Sequence, residues 1–292
     1  MPTARSKTLA VARRVLRQLA HDRRFLGLSL VAPVLLIYLV KIFWTSMEHA
    51  FQGPRSPLEA MNPFFENFAI PPDVQQTLQA ELGPFLGQPP KPPLEPTQML
   101  VPVCAFVVHI LTYVLCAIGL VRERTAQTLA RMFINGYRQG EIIGGYVLAY
   151  TALATVQSFL VLTELAVLFK LPFSGAAFLG LYLVIWMLAV TSVALGICVS
   201  NFARNEGQVL PFFPLVALPS ILLSGVIIPV DKLPGWAQWL SLATPLYYAN
   251  GVIQGLIKPG GSLTANWVHL IGLPLYGGVI FALATRTLRE VD

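Results

Sequence analysis

The chain of 292 residues is 55% hydrophobic and 12% charged, with a mean hydropathy of +0.65, whereas soluble domains carry about 25% charged residues. That composition excludes an ordinary cytosolic enzyme. Uncharged blocks long enough to cross a bilayer, about 20 residues each, make one all-α membrane bundle the natural unit. The 20 Lys and Arg exceed the 14 Asp and Glu, but no aromatic-rich basic groove accompanies them, so no nucleic-acid partner is expected.

Seven basic residues, Arg5, Lys7, Arg13, Arg14, Arg17, Arg23 and Arg24, precede the first apolar block and read as a cytoplasmic flank facing anionic lipid. Within this segment, residues 1–24, the residues Leu9, Ala12, Leu16 and Leu19 share one side of a helix while Arg13, Arg14 and Arg17 take others. An amphipathic helix along the inner leaflet is expected. A transmembrane domain follows over residues 25–292, with spans near Phe25 to Thr45, Met99 to Val121, Ile142 to Phe169, Pro172 to Ser200, Val209 to Val230 and Asn266 to Thr285. No small-residue cleavage site convincingly follows the first run, which reads as a retained span.

Six spans leave both termini on one side, and 14 of the 20 basic residues fall on that side, which the positive-inside rule assigns to the cytoplasm. Trp44, Trp236, Trp239 and Trp267 then cluster at the outer ends of spans, as an aromatic belt would. Cys104, Cys116 and Cys198 all lie in apolar blocks, so buried free thiols are expected rather than disulfides. The first outer loop, residues 46–98, is acidic and holds 11 of the 23 prolines, which rules out one long helix. Its stretch from Asp73 to Leu82 has room for a short helix, with Phe64, Phe65 and Phe68 available to pack it.

Between the second and third spans, Arg122 to Glu141 carries Ala126, Leu129, Ala130 and Phe133 at helical spacing. A short amphipathic helix at the cytoplasmic surface is predicted, either lying on lipid or serving as a docking knob for a cytoplasmic partner. After the fifth span come Ser224-Gly225-Val226-Ile227-Ile228-Pro229, Leu233-Pro234-Gly235-Trp236, and Pro245-Leu246-Tyr247-Tyr248 with Gln254. Backbone broken by prolines at membrane depth must be shielded by protein or line a cavity, so a pair of short re-entrant helices is one reading and a surface loop the other.

These elements resemble the membrane subunits of type-2 ATP-binding-cassette exporters, which move drugs, lipids or polysaccharides outward. The S-G-x-I-x-P, L-P-x-W and P-L-x-Y-x5-Q segments carry the likeness, together with Arg122-Glu123, Thr128-Leu129 and Glu141. It covers nearly the whole chain, departing at Gln127, at Gly136 and in the long first outer loop. The resemblance implies an N-terminal elbow helix, a coupling helix around Thr125 to Ile134 and an outer re-entrant region before the last span. It assigns Glu123, Thr128, Leu129 and Phe133 to coupling, with Leu129 and Phe133 filling a cleft on the partner and Glu123 anchored to Arg17, Arg23 or Arg24. Phe212, Val216, Leu223, Ser224, Gly225, Pro229, Pro245 and Tyr248 become the transport pathway and its outer gate.

No phosphate-binding loop G-x-x-x-x-G-K-[ST] occurs, so ATP and Mg would be held by a separate ATPase subunit and this chain would have no catalytic residues. The resemblance further implies a second copy of the chain, or a related permease, around a twofold axis. A prokaryotic cytoplasmic membrane is the expected location. Inside the spans, Glu164 is expected to pair with Lys41 or Lys170, and His109 to bond a neighbouring helix. Cys104, His109 and Cys116 lack a fourth metal ligand. An intramembrane hydrolase would need a nucleophile, yet no G-x-S-x-G is present. A secondary transporter would need coupling-ion residues at the midplane and commonly an internal repeat.

Overall fold

The computed structural model of the chain describes residues 4–51, 67, 71–86, 96–171, 173–258 and 260–287, and among these there is no strand. Its helices are α1 (Ala4–His21), α2 (Arg23–Phe51), α3 (Pro72–Leu86), α4 (Pro96–Thr125), α5 (Thr128–Ile134), α6 (Gln139–Leu168), α7 (Gly175–Ser200), α8 (Phe212–Leu223), α9 (Gly235–Ser241), α10 (Pro245–Leu256) and α11 (Trp267–Thr287). Two compact units are distinguished, Met1–Ile37 with Thr97–Asp292, and Tyr38–Pro96.

In the smaller unit, α3 covers the stretch where a short helix is expected and extends it to Leu86. Asp73 stands in its first turn, where the helix dipole favours a negative charge. Residues 52–66, 68–70 and 87–95, with Phe64, Phe65, Phe68 and most of the loop prolines, lie outside the described residues.

Among the described residues, six helical segments are long and apolar enough to cross a membrane: Phe25–Ser46, Thr97–Thr125, Gln139–Leu168, Gly175–Ser200, Glu206–Leu223 and Trp267–Thr287. The fifth differs from the sequence expectation. It begins as a 3-10 turn, Glu206–Val209, changes to α-helix after Pro211, and stops at Leu223 rather than Val230. The stop has a local cause. Gly225 adopts φ +81°, a left-handed conformation that glycine reaches without a Cβ penalty. As expected, two short helices, α9 and α10, then precede the last span.

Small residues set the close approaches in the larger unit. A Cβ on Gly145 of α6 would meet the Val11 side chain and the Thr8 carbonyl of α1, and one on Gly196 of α7 would meet the Tyr113 carbonyl of α4. Around the first contact, Val11 and Val15 of α1 join Leu120 of α4, Leu129 of α5, Tyr146 of α6 and Ile197 of α7 in one buried cluster. The face of α1 turned inward is therefore Val11, Ala12, Val15 and Leu19, while Leu9 and Leu16 are 55% and 39% exposed. The sequence stripe Leu9, Ala12, Leu16, Leu19 straddles the boundary between the packed face and its exposed edge. Periodicity alone does not separate two adjacent apolar rows on a helix this rich in Ala, Val and Leu.

Candidate functional site

The corner between α4 and α5 is organised by three consecutive residues where α4 ends. Glu123, 5% exposed, accepts from Arg14 of α1, Nη2 to Oε2, at 2.9 Å. Arg14 also points Nη1 at the Met132 sulfur of α5, 3.5 Å away. The partner is thus Arg14 and not Arg17 or Arg23, whose side chains are exposed; the side chain of Arg24 lies outside the described residues. Arg14 is one helical turn beyond the buried Val11 and adjoins the buried Val15, which carries its guanidinium to the α4–α5 corner.

Arg122 bridges two acids on different segments: Nη1 to Asp22 Oδ2 at 3.1 Å, between α1 and α2, and Nε to Glu206 Oε1 at 3.2 Å, in the 3-10 turn before α8. Arg124 turns to α7, donating from Nη1 to the carbonyls of Ser200 (2.8 Å) and Ala203 (3.2 Å) and from Nη2 to Asn201 Oδ1 (3.0 Å). The sequence reading names Arg122 only beside Glu123 in the family likeness and gives Arg124 no role; the Arg-Glu-Arg run that closes the span is the signal that could have found them.

After Thr125 the chain turns through Gln127, at φ +58°, into α5. That helix ends in a paired 6→1 and 5→2 closure: Tyr137 N–H to Met132 O at 3.1 Å and Gly136 N–H to Phe133 O at 2.9 Å. Gly136, at φ +75°, supplies the left-handed residue this ending requires. The Lys7 ammonium of α1 donates to the Gly136 carbonyl at 2.7 Å.

Of the residues expected to couple, Leu129 is 1% exposed and belongs to the core, with Phe133 packed against that same cluster. Leu129 is thus withdrawn from the surface, while Phe133 is only partly buried. Ala126 lies before the helix rather than on it. A stripe of less than two turns shows which side chains cohere and not what covers them. The outward edge of α5 carries Arg131 and Ile134, the latter 85% exposed, with Thr128 half-buried.

At the other end of α8, Asn250 of α10 donates to the Ser224 carbonyl at 2.9 Å, and Ser224 itself is buried. Gly225 sits against Asn250 and Val230, and Pro229 precedes the 3-10 turn Val230–Lys232. Pro245 is buried at the first turn of α10. Tyr248 donates to the Leu242 carbonyl at 3.0 Å and presses its ring where a Cβ on Gly272 of α11 would stand. Ser224, Gly225, Pro245 and Tyr248 thus lie in one assembly built from the end of α8, α10 and α11. Along α8, Phe212, Val216 and Leu223 form a half-buried edge, whereas Leu215, Leu218 and Leu222 are the fully exposed row.

His109, fully buried, does bond neighbouring helices: Nδ1 lies 2.6 Å from Ser192 Oγ of α7 and Nε2 lies 3.3 Å from Ser220 Oγ of α8. Ser192 spends its proton on the Leu188 carbonyl at 2.6 Å, so Nδ1 is the donor and neutral His109 accepts from Ser220 at Nε2. Glu164 makes no ion pair with Lys170, and its Oε2 is buried without a hydrogen-bond partner; Lys41 belongs to the other unit. Among the described residues no group of His, Cys, Asp and Glu forms a metal site.

The arrangement is that of a polytopic bundle with a short helix set on a charged corner, and comparison with known proteins places the chain in a membrane-transporter family. The profile of the ABC-2 type transporter family matches residues 7–257. ABC transporter G family member 20 of Dictyostelium discoideum is 26% identical over 178 residues, 60% of this chain and 24% of that protein. The probable multidrug ABC transporter permease YbhR of Escherichia coli K12 is 24% identical over 166 residues, 57% of this chain and 45% of that one. The linearmycin resistance permease protein LnrN of Bacillus subtilis 168 is 23% identical over 161 residues, 55% and 41% respectively. The match thus spans less than half the length of each of these relatives. With a family match over most of its length and six membrane-length helices, the chain belongs to the ABC-2 type transporter family.

Proposed function

We propose that this chain is the permease subunit of an ATP-driven exporter in a prokaryotic cytoplasmic membrane, both termini cytoplasmic, working as two permease copies with separate ATPase subunits that hold ATP and Mg. α1 serves as the elbow helix and α5 as the coupling helix. The observation that carries the reading is the two-sided character of α5: one face is sealed into the core through Leu129 and Met132, while Arg131 and Ile134 stand outward. An isolated isoleucine at 85% exposure beside an arginine on a seven-residue helix has the form of an interface anchor with a charged rim. Docking is therefore assigned to Arg131 and Ile134, with Thr128 at the margin, and Glu123 fixes the corner from which α5 projects.

The cargo is a hydrophobic or amphipathic molecule. The spans hold few charged side chains, and a small ion would demand more of them. Relatives named for multidrug transport and linearmycin resistance accord with this. The route runs between the two permease copies along α8, whose row Leu215, Leu218 and Leu222 is exposed among the described residues, and Ser224 to Pro229 form the outer gate above it.

Co-purification with a co-expressed ATP-binding-cassette ATPase subunit tests the reading. The isolated chain should hydrolyse no ATP, the complex should, and Arg131→Glu with Ile134→Asp should abolish the complex while leaving membrane insertion intact. ATP hydrolysis by the isolated chain, or wild-type partner yield from the doubly substituted one, would refute it.

A further inference from the structure

Arg124 is the penultimate residue of α4, so it moves with the corner from which α5 projects. Its guanidinium is half-buried and makes three hydrogen bonds, to the Ser200 carbonyl at the end of α7, to the Ala203 carbonyl in the turn beyond it and to Asn201 Oδ1. The Ser200 carbonyl also accepts from the Ala203 N–H, and a cation at this C-terminus meets the negative end of the helix dipole. Asn201 extends the line. Its Nδ2 donates to the Ala284 carbonyl at 3.1 Å and to Thr287 Oγ1 at 2.9 Å, both on α11. With Oδ1 facing a cation that only donates and Nδ2 facing a carbonyl, the amide has one workable orientation. The result is a directed chain from the α4–α5 corner through the end of α7 to the end of α11.

The Arg122 pairs beside it are of another kind. They are solvent-exposed on both partners and are screened by salt, so they trim the corner without fixing it.

We propose that Arg124 and Asn201 are a positioning pair that carries displacement of the α4–α5 corner to α7 and α11, so that the fourth and sixth spans move with the coupling helix. This rests on the permease reading above. Neither residue touches nucleotide or cargo; both act by holding three helix ends in one body.

Asn201→Asp separates the two arms. A carboxylate strengthens the contact to Arg124 but cannot donate to Ala284 O or Thr287 Oγ1, so the hydrogen-bonded link to α11 is weakened while the packing of α7 against α11 remains. Arg124→Lys cuts at the other end, because a single ammonium cannot reproduce a guanidinium fork on three acceptors. The measurement uses the complete permease–ATPase complex in nanodiscs, with Cys104, Cys116 and Cys198 replaced by alanine and spin labels at Ala126→Cys and Arg286→Cys. In the otherwise native chain, ATP should move both labels relative to the ATPase subunit while the distance between them within one chain stays unchanged. In Asn201→Asp and in Arg124→Lys, ATP should still move position 126, and the distance between 126 and 286 should now shift, with partner yield unchanged. An ATP-insensitive 126–286 distance in both variants, or a shift already present with Arg124 and Asn201 intact, would overturn the proposal. Failure of the unsubstituted chain to bind any ATPase subunit would instead refute the permease reading on which it stands.

Discussion

At the α4–α5 end of the larger unit, charge and directed hydrogen bonds join the helices: Arg14 to Glu123, Arg122 to Asp22 and Glu206, Arg124 to the end of α7. At the opposite end of α8, α10 and α11 are joined mainly by shape. A Cβ on Gly251 would fall within the His269 ring and one on Gly272 within the Tyr248 ring, so each helix lends a glycine gap to an aromatic side chain of the other. Tyr247 and Tyr276 extend the aromatic stack, with ring centroids 5.0 Å from His269 and 6.1 Å from Tyr248. Hydrogen bonds support this end too, from Asn266 to the Gly251 carbonyl and from Tyr276 to the Ala243 carbonyl. Interlocked rings tolerate little sliding, because close-packed surfaces have few alternative registers. The exposed Arg122 pairs can part and re-form, whereas Arg14 with Glu123 and Arg124 with the end of α7 hold the α4–α5 corner by partly buried, directed contacts, as the interlocked rings hold α10 to α11.

The largest effect expected from breaking this comparison lies at Arg14. Arg14→Ala leaves the nearly buried Glu123 carboxylate without its cation, a cost of about 3 kcal/mol, whereas Glu123→Gln leaves a cation that is 38% exposed and should cost about 1 kcal/mol. Thermal unfolding in detergent should therefore rank Arg14→Ala well below Glu123→Gln, with the double variant recovering most of the difference. Equal losses from the two single variants would mean that Glu123 is stabilised by something other than this pair.

An intermediate effect is expected at the outer interlock. Gly251→Leu or Gly272→Leu must displace a ring and should cost about 2 kcal/mol, with no dependence on ionic strength. A loss at these positions that changed with salt would contradict the contrast between the two ends. The smallest effect belongs to Arg122. Arg122→Gln should lower stability by less than about 1 kcal/mol, and the difference should vanish near 1 M salt, where screening acts over about 3 Å. Persistence of the loss at high salt would place Arg122 among the structural contacts.

Much of this fold was legible in the chain. The six spans follow from uncharged runs, and the short helices α3, α5, α9 and α10 fall where apolar spacing and prolines point. Legibility failed where a helix offers more than one apolar row. On α1 the sequence stripe mixed the packed Ala12 and Leu19 with the exposed Leu9 and Leu16. On α5 the stripe Leu129 and Phe133 was correctly apolar, but its destination was the chain's own core. Seven cations precede the first span, and which one meets Glu123 depends on the rotation of α1 against α6, which Gly144 and Gly145 set by close approach. Asn201 carried no signal at all. A single asparagine after a span reads as an ordinary helix end, and its importance comes from Arg124 and Ala284, 77 and 83 residues away.

The most direct test of the central claim, that α5 delivers the energy of a separate ATPase through its outward edge, is site-specific photo-crosslinking in intact cells. A photoreactive residue at Ile134 should crosslink to a nucleotide-binding polypeptide, and the same residue at Leu129 should yield only products within this chain. Crosslinking to that polypeptide from position 129, with none from 134, would contradict the account.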